Sequence, residues 1–200
     1  MARLVPRGAP FPVAICARHV HLCAAHVEAL FGKGHSLRPL APLTQADEFA
    51  CVETVTVRGP GGKLLDVRVV GPVRQRTQVE VSLRDQARLG IEGGLRLSSK
   101  VEGSLGCTLE GPKGMVVLAE GLLNAMRHLH APPAEATRLG LVDDTTVAVS
   151  VSGERARVLS DVLVRVREGA RLELHVDTEE AASVELGPDT VAYLVEEEAA

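Results

Sequence analysis

Short apolar segments rich in β-branched residues recur along the chain, and most have the length of a single strand. Several alternate between apolar and polar positions, as a strand does when one face is buried and the other is polar. The segments are Val13–Leu22, Val52–Val57, Leu64–Val70, Thr77–Leu83, Met115–Leu118, Thr146–Val151, Val162–Val166, Leu172–Val176 and Thr190–Val195. This pattern predicts a mainly β protein.

Turn-forming sequences such as Gly59-Pro60-Gly61-Gly62 separate the apolar segments at short spacing. Short spacing favours barrels or sandwiches, because parallel βαβ units need a long helix between consecutive strands. Helices are therefore expected to be few and short, and glycine terminates the first three. The predicted helices are Ala24–Phe31, Asp85–Leu89, Pro133–Leu139 and Glu179–Ser183.

Two blocks of the sequence resemble each other and indicate an internal repeat. ARHVHL at residues 17–22 is matched by RHLHA at residues 127–131, and a short helical pattern follows each block; QVEV at residues 78–81 is matched by ELHV at residues 173–176. We therefore predict two similar small β-barrel domains with short capping helices, spanning residues 13–121 and 122–200, with strands exchanged between them as an open alternative. Residues 1–12, which contain three prolines, are predicted to be a disordered segment or the remnant of a tag.

Composition excludes several classes of function. The net charge of −4 and an aromatic content of 2% argue against nucleic-acid binding, which needs basic surfaces and stacking rings. No apolar run reaches the roughly 20 residues that span a bilayer, and no signal peptide is recognisable, so a cytoplasmic protein without membrane contact is expected. Four cysteines without a CxxC pair are interpreted as buried apolar side chains in a reducing compartment: Cys16, Cys23, Cys51 and Cys107.

Two His-x-His pairs, one in each half, are the strongest chemical feature of the sequence. Side chains two residues apart on a strand point to the same face, about 7 Å apart at Cα, so both imidazoles can reach one ion. Imidazole nitrogen suits zinc or a related transition ion. The pairs are His19 with His21 and His128 with His130.

Glu80, His175 and Arg74 are further candidates. Glu80 and His175 lie in the middle of apolar strand segments, at matching positions of the repeat, where an unpaired charge is costly. Arg74 lies six residues before Glu80, and its planar guanidinium is suited to bidentate phosphate binding. We therefore expect Glu80 and His175 to be metal ligands and Arg74 to bind an anion.

Four ordered motifs carry a resemblance to a known family. ARHVHL (17–22), GPVRQRTQVEVS (71–82), RHLH (127–130) and ELHVDTEEA (173–181) resemble the PduL-type phosphate propanoyltransferases, phosphotransacylases found with propanediol-utilising microcompartments and their cytosolic relatives. The resemblance runs from about Pro12 to Ala182. It implies two β-barrel domains with a two-zinc centre between them.

The resemblance also implies an activity and a set of site residues. The activity is reversible conversion of a short-chain acyl-CoA, propanoyl-CoA or acetyl-CoA, and phosphate into acyl phosphate and coenzyme A. Carried onto this chain, Arg74 contacts phosphate and the zinc ligands are His19, His21, Glu80, His128, His130 and His175. The expected partners are acyl-CoA, phosphate and acyl phosphate, while a homo-oligomer and association with a microcompartment are left open. Acyl chain length is also left open, and no N-terminal targeting helix for a microcompartment is recognisable.

The sequence departs from the family pattern at two helix starts, and two other functions compete with the family reading. Cys23 and His26 replace a helix-capping Ser-x-x-Asp/Glu, and Ala131-Pro132-Pro133 replaces Met-Ser-Pro. One alternative is a cupin-like metal enzyme that would use His128, His130 and Glu135. The other is a non-catalytic zinc-stabilised binding module.

Overall fold

The computed structural model describes residues 4–93, 95–96 and 101–197. In these residues the chain is mainly β, with short helices. The strands are β1 Leu4–Ile15, β2 His19–His21, β3 Pro39–Pro42, β4 Phe49–Arg58, β5 Lys63–Gly71, β6 Gln78–Glu80, β7 Leu95–Arg96, β8 Leu105–Glu110, β9 Met115–Ala125, β10 His128–Ala131, β11 Thr146–Val151, β12 Arg157–Val166, β13 Glu173–Val176 and β14 Val191–Glu197, and the helices are α1 Ala24–Phe31, α2 Leu83–Leu89, α3 Pro133–Leu139 and α4 Thr178–Ser183.

The chain divides into two compact units. The central unit is Ala17–Ala125, and the terminal unit combines Met1–Cys16 with Met126–Ala200. Each unit has its own cluster of buried apolar side chains, as expected for a domain with a core of its own.

The central unit contains a closed barrel of six strands in the order β4–β5–β2–β6–β9–β8. β8 closes the ring because it pairs with both β9 and β4. β3 pairs with β4, and β7 pairs with β9, but neither is one of the six strands of the ring. Val20, Val57, Val69, Leu109 and Leu122 are fully buried in its core. Because neighbours on a strand point to opposite faces, the histidines on either side of Val20 lie on the face opposite the core.

The terminal unit is a closed barrel of six strands in the order β1–β13–β10–β12–β11–β14. Its core contains the fully buried residues Leu129, Val149, Val162 and Leu174. β10 runs parallel to β12 and antiparallel to β13, just as β2 runs parallel to β5 and antiparallel to β6 in the central unit. The predicted architecture of two similar small barrels with short helices is confirmed.

The boundaries of the units differ from those expected. The predicted boundary at residue 122 falls inside β9, all of which remains in the central unit because Leu122 and Leu123 pair with β6. Residues 4–12, predicted to be disordered, form most of β1, which pairs with β13 and β14; residues 1–3 lie outside the described part. β1, which precedes the first His-x-His pair along the chain, thus belongs to the terminal unit, and β9, which precedes the second pair, belongs to the central unit.

Most predicted elements are present, but one strand was placed incorrectly. Val13–Leu22, predicted as a single strand, is two strands that belong to different units, because β1 ends at Ile15 and β2 begins at His19. The sequence also missed β3, β7 and β8, which contain few β-branched residues. The helices α1 and α3 have the predicted bounds.

The four helix starts differ in how they are capped. Cys23 and Pro132, which precede α1 and α3, make no side-chain capping hydrogen bond, as their residue types predict. Ser82 accepts a hydrogen bond from the Asp85 amide in α2, and Asp177 forms a capping box with Glu180 in α4. No helix in the described part of the chain is long and apolar enough to cross a bilayer.

Candidate metal sites

In the central unit, two short paired strands bring three predicted ligands together. β2 runs antiparallel to β6, so that His19 lies opposite Glu80 and His21 lies opposite Gln78. Val20, between the two histidines, is fully buried in the core. The four polar side chains therefore share the other face, where opposed Cβ atoms lie about 5 Å apart.

The terminal unit repeats this arrangement on β10 and β13. His128 lies opposite His175, and His130 lies opposite Glu173. Leu129, between the two histidines, is again fully buried in the core. The polar residues again share the face that points away from the core.

We call His19, His21 and Glu80 the central triad, and His128, His130 and His175 the terminal triad. Within each triad, one potential ligand atom from each residue lies within 4.8 Å of the other two. Every metal ligand predicted from the sequence therefore lies in one of two compact groups, one in each unit.

The central triad has two imidazole nitrogens whose lone pairs converge. His19 Nδ1 donates to the Ala17 carbonyl oxygen at 2.8 Å, and His21 Nδ1 donates to the Val70 carbonyl oxygen at 3.1 Å. A neutral imidazole that donates through Nδ1 carries its lone pair on Nε2. The two Nε2 atoms lie 3.1 Å apart, and a cation bound by both would relieve the repulsion between their lone pairs.

Glu80 completes the central triad with one carboxylate oxygen. Its Oε1 accepts a hydrogen bond from the side-chain amide of Gln78, while its Oε2 lies 3.9 Å from His19 Nε2. Glu80 is 7% exposed, and burial of a carboxylate is favourable only with partners. One oxygen is thus held by Gln78 and the other is directed to the histidines.

Burial keeps His21 uncharged. Burial is the main cause that lowers the pKa of His21 from 6.5 to about 3, and His19 and the positive charge of Arg74 lower it further, while Glu80 raises it in part. At neutral pH the His21 imidazole is therefore the neutral form, which is the form that binds metals.

The rings of the terminal triad are in mutual contact. Their centroids are 4.8 Å apart for His128 and His130, 5.1 Å for His128 and His175, and 4.7 Å for His130 and His175. His128 Nδ1 donates to the Met126 carbonyl oxygen at 2.9 Å, which leaves its lone pair on Nε2. His130 Nδ1 is buried and has no hydrogen-bond partner in the described part of the chain.

His175 contacts two further residues that the sequence analysis did not select. Its Nε2 lies 2.8 Å from Glu173 Oε2, and its Nδ1 lies 3.5 Å from Cys16 Sγ. Glu173 is 5% exposed. A buried carboxylate and a thiol therefore lie beside the terminal triad.

The pKa of His130 is lowered for the same main reason as that of His21. Burial is the main cause that lowers it from 6.5 to about 3, and His128, His175 and the cation of Arg165 add to the effect, while Glu173 opposes it. His130 is therefore neutral at physiological pH, and its lone pair is available to an ion.

Both triads fit a divalent transition ion. Two imidazoles with a carboxylate, or three imidazoles, are the ligand sets of zinc sites that keep a coordination position open. The buried Nδ1 of His130, which has no partner among the described residues, supports this fit, because leaving such an atom unsatisfied costs about 1–3 kcal/mol and a bound ion would satisfy it.

Arg74 lies near the central triad, at the end of β2. Its backbone amide donates to the Leu22 carbonyl oxygen at 2.9 Å, and its charge contributes to the lowered pKa of His21. Its guanidinium donates to Glu48 Oε1 at 2.7 Å and is about one third exposed. The guanidinium is thus held in place with part of its surface open to an anion.

The structure also shows where Glu135, which the cupin-like alternative requires, and the four cysteines lie. Glu135 lies on α3 and pairs with the exposed Arg138. Cys51 and Cys107 are buried as predicted, but Cys16 and Cys23 are only partly buried. The cupin-like ligand set is therefore not supported.

Gln78 and Glu173 are the site residues that sequence reasoning missed. Each lies two positions before the third member of a triad, on the same face of its strand. That spacing was visible in the sequence, but a polar residue beside an apolar one on a half-exposed strand is usually interpreted as facing solvent.

Comparison with known proteins assigns the family. The phosphate propanoyltransferase family matches residues 12–187. The chain is 44% identical to the phosphate propanoyltransferase of Thermotoga maritima over 92% of this chain and 88% of that protein. It is 43% identical to the phosphate propanoyltransferase of Rhodobacter capsulatus over 90% of this chain and 84% of that protein. The chain belongs to the phosphate propanoyltransferase family and is an acyltransferase.

Proposed function

We propose that this protein transfers a short acyl group, propanoyl or acetyl, between coenzyme A and inorganic phosphate. In the forward direction a phosphate oxygen bonds to the thioester carbon, the carbon–sulfur bond breaks, and the thiolate of coenzyme A takes up the proton that phosphate gives up. The observation that supports this most strongly is the presence of one metal-type triad in each barrel, at matching positions of the repeat.

The central and terminal triads would each hold one zinc ion. Imidazole nitrogen with at most one carboxylate favours zinc over the harder ions magnesium and calcium, which prefer oxygen. When bound, zinc supplies the positive charge that neutralises phosphate and stabilises negative charge on the thioester oxygen. His21 and His130 contribute by remaining neutral, so that protons do not compete for their lone pairs.

Arg74 would bind phosphate. Its fork of N–H donors matches two oxygens of a phosphate group, and its contact with the Glu48 carboxylate shows that the guanidinium already holds an anionic oxygen. Phosphate bound there would share the arginine with Glu48 or replace that carboxylate. Arg74 would then orient a phosphate oxygen for attack on the thioester carbon. Such orientation accelerates a bimolecular reaction because the two reactants are held in the geometry of attack.

Direct attack by phosphate needs no protein nucleophile, and the two buried cysteines are poor candidates for an acyl-enzyme. Burial raises the pKa of Cys51 to about 11 and that of Cys107 to about 12. Both thiols are protonated at neutral pH, and the thiolate is the nucleophilic form. Neither residue is therefore suited to carry the acyl group.

The test is a coupled measurement of thioester and phosphate. Zinc-loaded protein is mixed with propanoyl-CoA, and thioester absorbance is followed with and without phosphate, with acyl phosphate assayed at the end; acetyl-CoA is run in parallel. We expect phosphate-dependent loss of thioester with equal formation of acyl phosphate. Thioester loss that is independent of phosphate, or none at all, would refute the proposal.

A further inference from the structure

In each unit, the two paired strands place four polar side chains on the site face, at positions that we call the four corners of the site. The triad supplies three of these four side chains. The fourth corner is Gln78 in the central unit, opposite His21, and Glu173 in the terminal unit, opposite His130. Both side chains are buried, with exposures of 3% and 5%. A polar side chain so deeply buried on the site face is there for its interactions.

Gln78 and Glu173 each contact the third member of their triad, but Gln78 offers a hydrogen-bond donor and Glu173 offers an acceptor. Gln78 donates an N–H to Glu80, the third member of the central triad. Glu173 offers a carboxylate oxygen 2.8 Å from Nε2 of His175, the third member of the terminal triad. An amide therefore stands beside the carboxylate ligand, and a carboxylate stands beside the imidazole ligand.

The exchange of residue types gives each site the same charge. Each set of four corners contains one carboxylate, Glu80 in the central unit and Glu173 in the terminal unit. Without Glu173, the terminal corners would contain no carboxylate, and a divalent ion would be held without an anionic partner.

A buried cation makes that carboxylate more important. Arg165 on β12 lies opposite His130 on β10 in the strand register and is 8% exposed. The carboxylate of Asp144 lies 3.5 Å from the Arg165 guanidinium and is half exposed. The positive charge of Arg165 opposes a second cation at the terminal triad unless an anion lies close to both.

We propose that Glu173 is a positioning residue of the terminal metal site: it holds His175 and supplies the one carboxylate that allows a divalent ion to be retained beside Arg165. This inference rests on the proposed function, in which the terminal triad binds a metal. Partners of metal ligands typically change metal affinity by 10- to 100-fold when they are removed.

The test compares metal binding by Glu173→Gln and by the wild-type chain. The substitution gives the terminal site the amide that the central site has. Metal-free protein is titrated with Co²⁺, whose absorbance reports ligand geometry, and zinc affinity is measured by competition with a chelator. We expect two ions per wild-type chain; in Glu173→Gln one ion should bind as before and the other 10- to 100-fold more weakly, with an altered cobalt spectrum.

Two further variants separate this role from a general effect on folding. Glu154→Gln removes a carboxylate from an exposed turn of the same unit and should bind both ions as the wild type does. The double variant Arg165→Met, Glu173→Gln removes the opposing cation and should recover several-fold of the lost metal affinity. If Glu173→Gln alone does not fold, metal binding by the double variant provides the test.

The outcomes distinguish this inference from the function on which it depends. A wild-type chain that binds neither cobalt nor zinc would overturn the proposed metal function itself. Two tightly bound ions in Glu173→Gln with an unchanged spectrum would overturn the role of Glu173 alone, as would the absence of any recovery in the double variant.

Discussion

The buried histidines of the two triads should make the metal-free protein sensitive to mild acid. The pKa of His21 is about 3 in the folded chain, against 6.5 for an exposed imidazole. As the pH falls below 6.5, the unfolded chain binds a proton at this position and the folded chain does not. The free energy of unfolding therefore falls with pH between 6.5 and 3.

The size of the effect follows from the same pKa values. At pH 5 the unfolded state gains about 2 kcal/mol from protonation of His21, at 1.36 kcal/mol per pH unit, and almost nothing at pH 7.5. His130, with a pKa of about 3, adds a similar or slightly smaller amount. Together they should account for about 4 kcal/mol of the stability lost between pH 7.5 and 5.

The assay is urea unfolding of chelator-treated protein at the two pH values. In His21→Asn, the loss of stability between pH 7.5 and 5 should be about 2 kcal/mol smaller than in the wild type. Any direct cost of the substitution cancels, because only the difference between the two pH values is compared. A His21→Asn protein with the same pH dependence as the wild type would refute the reasoning.

Three further predictions concern the arginine, a buried carboxylate and a cysteine. Arg74→Lys should raise the KM for phosphate about tenfold in steady-state assays, because lysine loses the bidentate contact. Glu53→Gln should lower the free energy of unfolding at pH 7 by about 2 kcal/mol in urea titrations. Burial alone would raise the pKa of Glu53, but hydrogen bonds from Arg38 lower it to about 2, so the difference should shrink as the pH falls from 4.5 towards 2; an unchanged difference at pH 3 would contradict this. Cys107→Ala should retain full activity, and labelled acyl-CoA should leave no acyl group on the denatured wild-type protein; a trapped label would contradict direct attack.

Local features of the fold and site were predictable because they depend on short stretches of sequence. The bounds of α1 and α3 follow from the residues that start and stop them, including Gly32 and Gly140 just beyond their ends. The shared face of His19 and His21 follows from the two-residue period of a strand. The matching positions of Glu80 and His175 in the repeat identified the third member of each triad.

Non-local pairing could not be predicted from those patterns. The apolar segment Val13–Leu22 has no internal break strong enough to show that β1 pairs with β13 and β14 while β2 pairs with β5 and β6. The roles of Gln78 and Glu173 likewise depend on which residue lies opposite them across the strand pair, and register is set by the whole barrel.

The central claim is that the two triads hold the ions on which acyl transfer depends. The most direct measurement is metal content by elemental analysis, together with coenzyme A-dependent consumption of acyl phosphate, in the wild type and in His128→Ala. We expect two zinc ions per active wild-type chain, and in His128→Ala the loss of one ion and a fall in activity of more than about 100-fold. Full activity in a metal-free His128→Ala protein would contradict the account.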